Sequence, residues 1–504
     1  MSSPASEPSL RHAVARGALW GALGAAVGKV AAFGAQIYLG WILSKEDFAV
    51  YALALACSMF VAGLVNGGTQ RVLVQRGSEY DRYAYLVLQI SAAFNVLVLI
   101  LLLVAGAPAG QQIDTPELST LLFVMGLATL LSTPGHVLTA KLLIDLRFKH
   151  VQLLAIVSHL VRHGATVVLA AWGFGALSFV LPMLLVAMTD TLLVWFAVRR
   201  MPQVRPFVWA DARDILHASK WVMLGTAAGA LIQNGDNLAV ALLSDKATLG
   251  VYFFAYQLTF SLAGLLGGSL LSVLVPTFVR MGAEAARQRR AFVTALHAMA
   301  VGATLLSFGL IIVAEPLIHA IWAGKWDEAA IVVQWLALSL PAVLAASLAR
   351  ALAEARGGWA LTTKLAVAEG VGTILAAALG VLGGGLAGIA IAVSVFKVLA
   401  GCVQAVIVLR LVEGKAGEGL LPLFSAYSIG IVALSVAQFS GGVASEAGLA
   451  VPLQALVSAL LFVGIYVTLA GVFSKAGASE IVKLFKTLWP GKSRASARAQ
   501  PPAA

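Results

Sequence analysis

The chain has 504 residues, 60% of them hydrophobic and only 11% charged, with a mean hydropathy of +0.92, a composition far outside that of water-soluble globular domains. Its formal net charge is +11, but in a lipid-solvated chain basic residues report topology before they report nucleic acid, so no nucleic-acid partner is expected. The apolar runs are about 20 residues long and continuous rather than alternating, which is the signature of membrane-crossing α-helices and excludes a transmembrane β-barrel.

In chain order, a cytoplasmic N-terminus (1–16) precedes six spans at 17–42, 48–70, 83–105, 118–140, 150–172 and 174–198, which together form an N-lobe (17–198). The first run is longer than a signal-peptide core and has no clear small-residue cleavage site after it, so it is expected to stay in the mature chain. A cytoplasmic linker (199–216) leads to a C-lobe (217–410) with spans at 217–243, 249–276, 291–314, 329–350, 360–382 and 384–410. Two further spans, 420–440 and 449–473, precede a basic cytoplasmic tail (474–504). Within the tail, 478–489 places Ile481, Phe485 and Leu488 on one face beside Lys483 and Lys486, as an interfacial helix does, and Lys492–Ala504 is expected to be disordered. The predicted fold class is therefore an all-α polytopic membrane protein of about fourteen transmembrane helices, two pseudo-symmetric six-helix lobes plus two C-terminal helices.

Outside the span interiors, Lys and Arg fall on the side of the N-terminus with three exceptions, Lys45, Lys246 and Lys325. That bias puts both termini in the cytoplasm, with loops near 112, 245 and 325 periplasmic and loops near 80, 205 and 287 cytoplasmic. Tryptophans near the span ends (Trp41, Trp172, Trp195, Trp221, Trp322, Trp359) read as interfacial anchors. Cys57 and Cys402 lie inside apolar runs, where a structural disulfide is not expected.

An internal repeat is visible at an offset of 201 residues: 50–76 aligns on 251–277 without a gap, pairing Val50-Tyr51 with Val251-Tyr252, Gly63 with Gly264, Gly67 with Gly268 and Val72-Leu73-Val74 with Val273-Leu274-Val275. It carries the second span onto the eighth, an even number of spans apart, so the two lobes should be related by an axis along the membrane normal, a common transporter design. Glycines four apart (Gly17/Gly21, Gly24/Gly28, Gly63/Gly67, Gly264/Gly268, Gly384/Gly388) predict close helix packing.

No HExxH, CxxC, GxSxG or P-loop stands in the sequence, so neither an enzyme nor a cofactor is expected. The ionisable residues inside spans are the informative ones, because a central Arg, Lys or Asp costs roughly 2.5–3.5 kcal/mol on insertion scales and needs a partner or a wet cavity. Lys29 is mid-span with Gln36 on its side of the helix. It can meet a pyrophosphate in a cavity, or pair with a neighbouring helix. Gln233, Asp236 and Asn237 share a face at i, i+3, i+4, and the repeat offset lays Gln36 onto the same cluster, as donors and acceptors for a sugar or as interhelical hydrogen bonds. Lys397, Arg71 and Tyr252 complete the candidate substrate-binding set. His159, Arg162 and His163 form one face of the fifth span, where Arg162 and Asp190 are expected to make a structural ion pair in preference to a proton relay. Glu369 is placed near Lys364 at the cytoplasmic interface.

Several segments in order, Leu43-Ser-Lys-Glu-Asp-Phe-Ala-Val-Tyr-Ala52, Leu146-Arg-Phe-Lys149, Gly173-Phe-Gly-Ala-Leu177, Gln233-Asn-Gly-Asp-Asn237, Leu249-Gly-Val-Tyr-Phe-Phe-Ala255 and Trp322-Ala-Gly-Lys-Trp-Asp-Glu-Ala-Ala330, resemble the polysaccharide flippases of the multidrug/oligosaccharidyl-lipid/polysaccharide exporter superfamily. The likeness runs from about residue 15 to 410. Ala49 departs from a pattern that usually has glycine there. The resemblance implies two lobes around a central cavity lined by the first, second, seventh and eighth spans, and alternating access. The last two spans would be an addition such as peptidoglycan-precursor flippases use for a lipid tail. It implies translocation of an undecaprenyl-pyrophosphate-linked oligosaccharide across the bacterial inner membrane, with membrane lipids and the glycosyltransferases and polymerase of one glycan pathway as partners. The alternatives are a peptidoglycan-precursor flippase, a drug/cation antiporter of the same superfamily and, disfavoured by the short outer loops, a membrane glycan polymerase or ligase.

Overall fold

The computed structural model describes residues 7–66, 69–112, 115–282, 284–446 and 451–473. The tail, with the expected interfacial helix at 478–489, lies outside the described residues. The chain is helical in the order α1 (Glu7–Ile42), α2 (Lys45–Asn66), α3 (Thr69–Gln75), α4 (Tyr80–Gln112), α5 (Glu117–Ile144), α6 (Phe148–Ala171), α7 (Leu177–Val198), α8 (Trp209–Leu243), α9 (Lys246–Arg280), α10 (Ala285–Trp322), α11 (Glu328–Leu338), α12 (Leu340–Ala355), α13 (Trp359–Arg410), α14 (Ala416–Glu446) and α15 (Val451–Phe473). Among the described residues there is no strand, as a chain that must satisfy every backbone group inside lipid requires.

The expected spans fall on helical segments, though not one to one: 48–70 runs over α2 and into α3, 329–350 crosses from α11 to α12, and 360–382 and 384–410 both lie on α13. Nine of the described helices are long and apolar enough to cross a membrane, and up to eleven if each of two bent pairs is one span, so length and apolarity do not establish the count of fourteen. One reason is geometric. The stretch Trp359–Arg410 is continuous by hydrogen bonding but breaks at Gly384 and Gly385, the latter at φ 57°, ψ −142°, a left-handed conformation that glycine alone adopts at little cost. Its two halves fold back face to face: a Cβ on Gly380 would stand 2.5 Å from Ile389 Cα and 2.6 Å from Gly388 O. The Gly384/Gly388 pair thus divides its work, one glycine making the reversal and the other the close contact.

The helix ends follow the repeat. α1 ends at Ile42 and α8 at Leu243, while α2 begins at Lys45 and α9 at Lys246, each pair 201 residues apart. The N-caps match with their side chains exchanged. At α2, Ser44 Oγ accepts the Asp47 N–H (3.1 Å) and Asp47 Oδ2 accepts the Ser44 N–H (2.9 Å), a reciprocal capping box. At α9 the carboxylate comes first: Asp245 accepts both the N–H (2.9 Å) and the hydroxyl (2.7 Å) of Thr248. Those donors hold the Asp245 carboxyl below the usual carboxylate range.

Two compact units are distinguishable. The first, 1–269 with 318–336 and 357–397, packs α1 on α6, α2 on α8, and α5 against α4 and α7. The glycines of α1 do what their spacing predicts: Gly24 faces Gln152 and Ile156 of α6, and a Cβ on Gly28 would stand 2.8 Å from His159 Cδ2. The second unit, 270–317 with 337–356 and 398–504, packs α14 on α15 over a core that includes Phe308, Ala433, Phe462 and Tyr466. Cys57 and Cys402 are free thiols. Trp322 corrects an expectation. It is not an interfacial anchor: 3% of it is exposed, and its indole N–H donates to Ile37 O (3.1 Å).

A candidate substrate cavity and a buried charge cluster

Within the first unit a cavity of about 190 Å³ lies among α1, α2, α6, α7 and α9. Three helices contribute polar groups: Gln36 from α1 and, at helical spacing, Arg162, His163 and Thr166 from α6 and Gln257 and Ser261 from α9. Phe33, Tyr51 and Phe179 add aromatic surface, with the rings of Tyr51 and Phe179 stacked at 4.2 Å. The Thr166 hydroxyl donates to Arg162 O (2.8 Å) and that of Ser261 to Leu258 O (3.1 Å), so each hydroxyl oxygen is left as an acceptor facing the lining. Among the described residues the Gln36 Nε2 is buried without a hydrogen-bond partner, an unsatisfied donor on a residue that lines the cavity.

Lys29 lies two turns below Gln36 on α1, and its Nζ rests against Gly264 of α9, where a Cβ would meet it at 2.7 Å. The imidazole of His159 is its electrostatic neighbour, and the rings of His159 and His163 are parallel at 6.3 Å. Lys29, Arg162 and the two histidines therefore form a basic column along the α1–α6 seam, leading to the cavity.

Asp190 is not the partner of Arg162. Among the described residues no ion pair joins them. The Ser158 hydroxyl hydrogen-bonds Asp190 Oδ1 instead, with His136 and His159 as its electrostatic neighbours. The physical reason is depth: Ser158 stands one helical turn before Arg162, and a turn is about 5.4 Å. That displacement leaves the guanidinium free to line the cavity.

The set expected on α8 divides as well. Asp236 and Asn237 are fully buried. The carboxylate of Asp236 accepts the Tyr252 hydroxyl (2.9 Å) and the Asn237 N–H (2.9 Å). Lys397 is 3% exposed and acts electrostatically on Asp236. Its Nζ donates to Ile232 O (3.4 Å) and lies over the rings of Phe260 (5.4 Å) and Tyr256 (6.0 Å). Glu369, expected at the interface, is also buried, and it is an electrostatic neighbour of Tyr256. Among the described residues both side-chain polar atoms of Asn237 are buried without partners. Gln233 does not join this cluster. It is exposed on the stripe that carries Thr226 two turns earlier, and its Nε2 reaches only Gly229 O (3.4 Å). The Arg71 side chain lies outside the described residues.

Of the residues expected to bind substrate, Gln36 lines the cavity and Lys29 approaches it, while Asp236, Asn237, Tyr252 and Lys397 form a separate buried cluster. Sequence reasoning missed Gln257 and Ser261, whose i, i+4 spacing on an apolar helix was the available signal. It assigned Arg162 a partner in place of the cavity. Among the described residues no group of three or more His, Cys, Asp or Glu could hold a metal ion.

Comparison with known proteins gives one family, described as polysaccharide biosynthesis protein, whose profile matches residues 39–331. The succinoglycan biosynthesis transport protein ExoT of Rhizobium meliloti is 24% identical over 60% of this chain and 61% of its own length. The chain thus spans about three fifths of that relative. The lipopolysaccharide biosynthesis protein WzxC of Escherichia coli is 20% identical over 65% of this chain and 67% of its own. Among solved structures, the lipid II flippase MurJ in an inward closed conformation superimposes with a TM-score of 0.71 at 13% identity, covering 91% of this chain and 99% of that one. An inward-facing multidrug resistance MATE family transporter of the MOP superfamily gives 0.62 at 16% identity, over 77% and 94%.

Proposed function

The chain belongs to the polysaccharide biosynthesis protein family, and from that membership we propose that it flips an undecaprenyl-pyrophosphate-linked oligosaccharide repeat unit from the cytoplasmic to the periplasmic leaflet of the bacterial inner membrane. The observation that carries this reading is the cavity: a guanidinium, an imidazole, two amides and two hydroxyls converge in an apolar span region. A pyrophosphate leaving water needs fixed positive charge and donors in place of its hydration. Arg162 supplies a planar fork of donors for it and Lys29 a second charge. Gln36, Gln257, Thr166 and Ser261 match the mixed donors and acceptors of a glycan, and the aromatic faces suit sugar rings. Two six-helix lobes working by alternating access, cytoplasmic termini, and the glycosyltransferases and polymerase of the same pathway as partners complete the proposal. Transport itself needs no catalytic group or cofactor.

A drug/cation antiporter would place an acid where the cargo binds. Here the basic side chains lining the cavity are Arg162 and His163 and its described lining holds no carboxylate, while Asp236 is sealed against Tyr252, which favours an anionic cargo. A peptidoglycan precursor also carries a pyrophosphate, so the site chemistry is shared and the glycan is what an experiment must separate.

In a strain lacking the gene, lipid-linked repeat units should accumulate in the inner leaflet and the surface glycan should be lost, with both reversed by the wild-type chain. Arg162→Ala at normal abundance should restore little export and Arg162→Lys more. Wild-type export by Arg162→Ala would remove the cationic-cavity reading.

A further inference from the structure

The C-terminal end of α1 is gripped by one short segment far away in the chain. A helix ends with carbonyls that have no intrahelical partner, and here they are satisfied by side chains of residues 322–328. The Trp326 indole N–H donates to Gly40 O (2.8 Å), and Lys325 Nζ donates to Trp41 O (3.0 Å) and Leu43 O (2.6 Å). One turn earlier, Trp322 donates to Ile37 O. Lys325 also brings a cation to the negative end of the helix dipole. Partial burial holds its ammonium below the usual lysine range.

The grip is filled in by rings. Trp326 stacks on Phe254 of α9 at 3.9 Å, Trp322 meets Phe254 edge-on at 5.0 Å, and Phe48 of α2 meets Trp326 at 5.2 Å. Trp326, Phe48 and Phe254 are fully buried. Gly40 is closed down onto the Trp322 indole and Gly250 onto Lys45 O, in both cases too tightly for a Cβ. At the rim, Lys45 and Glu328 make an ion pair (2.9 Å). The segment turns through left-handed Ala323 (φ 50°) and Gly324 (φ 90°), which allows donors from positions 322, 325 and 326 to point at one helix end.

We propose that residues Trp322–Glu328 are a releasable latch on α1: Trp322, Lys325 and Trp326 are positioning residues that set the height of Lys29 and Gln36, and they must let go before the cavity can open on the side opposite the N-terminus. The proposal rests on the transport reading above. α1 carries both the latch carbonyls and the cavity amide, with Gln36 only four residues from Gly40, so any movement that frees Gly40 O moves Gln36. The bonds from Trp322, Lys325 and Trp326 that break on release end on backbone carbonyls in and just beyond the last turns of α1, and the remaining one is the Lys45–Glu328 ion pair at the rim; water can hydrate such groups in the open state.

The test uses the full-length chain with Cys57→Ala and Cys402→Ala, in a strain lacking the gene. A reporter cysteine at Ala35, a cavity position, is labelled from outside with a membrane-impermeant thiol reagent. Trp326→Phe keeps the stacked ring and removes the N–H, so labelling should rise about fivefold, the population shift that one ordinary hydrogen bond supports. Lys325→Met should raise it similarly, and Lys325→Arg should return it toward wild type, which a merely structural loss would not do. In a separate chain, Lys45→Cys with Glu328→Cys is bridged by a short, reducible bis-thiosulfonate reagent. Glycan export should stop on bridging and resume on reduction. Unchanged labelling in Trp326→Phe and Lys325→Met, or undiminished export by the bridged protein, overturns the latch. If Trp326→Phe lowers abundance, the Lys325→Met and Lys325→Arg pair decides at the exposed edge. Labelling that responds as expected in a protein that never restores the glycan upholds the latch and removes the proposed cargo.

Discussion

Tyr252→Phe removes one oxygen from a fully buried ring and asks what holds Asp236. The phenol donates to Asp236 Oδ2 at 2.9 Å, and the other carboxylate oxygen accepts the Asn237 N–H at 2.9 Å. Both residues are 0% exposed, so bulk water cannot replace the lost donor. A hydrogen bond to a charged group contributes about 1.5–3 kcal/mol net, and Tyr252→Phe should therefore destabilise by about 2 kcal/mol. Asp236→Asn lowers the charge at the acceptor, so in that background the same substitution should cost only about 1 kcal/mol, which is an ordinary neutral bond. Lys397→Met should also destabilise, because it removes the buried cation that acts on the carboxylate. Part of that loss should return when Asp236→Asn is added. The measurement is reversible unfolding by SDS titration in mixed micelles for the four members of the Tyr252–Asp236 cycle, then for the Lys397 pair. A Tyr252→Phe chain within about 0.5 kcal/mol of wild type, the scatter of independent substitutions, or full additivity across the cycle, would refute the charged cluster.

The cap of α9 makes a pH prediction. The folded Asp245 carboxyl is held below its unfolded value by the Thr248 donors, so its stabilisation is fully present above the unfolded value of about 4 and is lost as pH falls on through the depressed folded value; Asp245→Ala should cost about 1 kcal/mol at pH 7, and the gap from wild type should shrink steadily as pH is lowered below about 4 in thermal-shift measurements across that range. Gly380→Ala drives a Cβ into the backbone of Ile389 and Gly388 and should collapse the folded yield, whereas Gly34, with nothing within 4 Å of a Cβ, should accept Ala with a gain of about 0.5–1 kcal/mol; equal yields would contradict the face-to-face hairpin. Because Asp190 is bonded to Ser158 and not to Arg162, Arg162→Ala and Asp190→Ala should add within about 0.5 kcal/mol while Ser158→Ala and Asp190→Asn should not; strong coupling in the first pair would restore the ion pair that the sequence suggested.

The helices were legible because lipid leaves the chain one way to satisfy its backbone, so the apolar runs mark them directly. The offset of 201 even carries the helix ends, down to caps in which hydroxyl and carboxylate trade places. What the sequence could not fix was orientation about and along each helix. Trp322 stands at a helix end, where an indole suits the headgroup region and a buried donor equally well, and only the carbonyls of α1 decide between them. Gln233 shares a wheel sector with Asn237, but its stripe is left uncovered. Arg162 and Asp190 differ in depth by one turn, too little for span boundaries that err by several residues and enough to turn a structural pair into a cavity wall.

The repeat also explains why the polar residues fall into two sites instead of one. At an offset of 201, Ala35, Gln36 and Tyr51 correspond to Asp236, Asn237 and Tyr252. The first three line the cavity; the second three make the buried cluster. A single exchange, alanine for aspartate, separates their fates. Where the carboxylate is present, the tyrosine hydroxyl donates to it and Lys397 acts on it electrostatically. Where it is replaced by a methyl group, the tyrosine stacks on Phe179 and the neighbouring amide faces open space. Among the described residues both amides retain buried polar atoms without protein partners, Gln36 Nε2 in one copy and Asn237 Nδ2 and Oδ1 in the other. α9 touches both sites, with Gln257 and Ser261 on the cavity and Tyr252 and Tyr256 on the cluster.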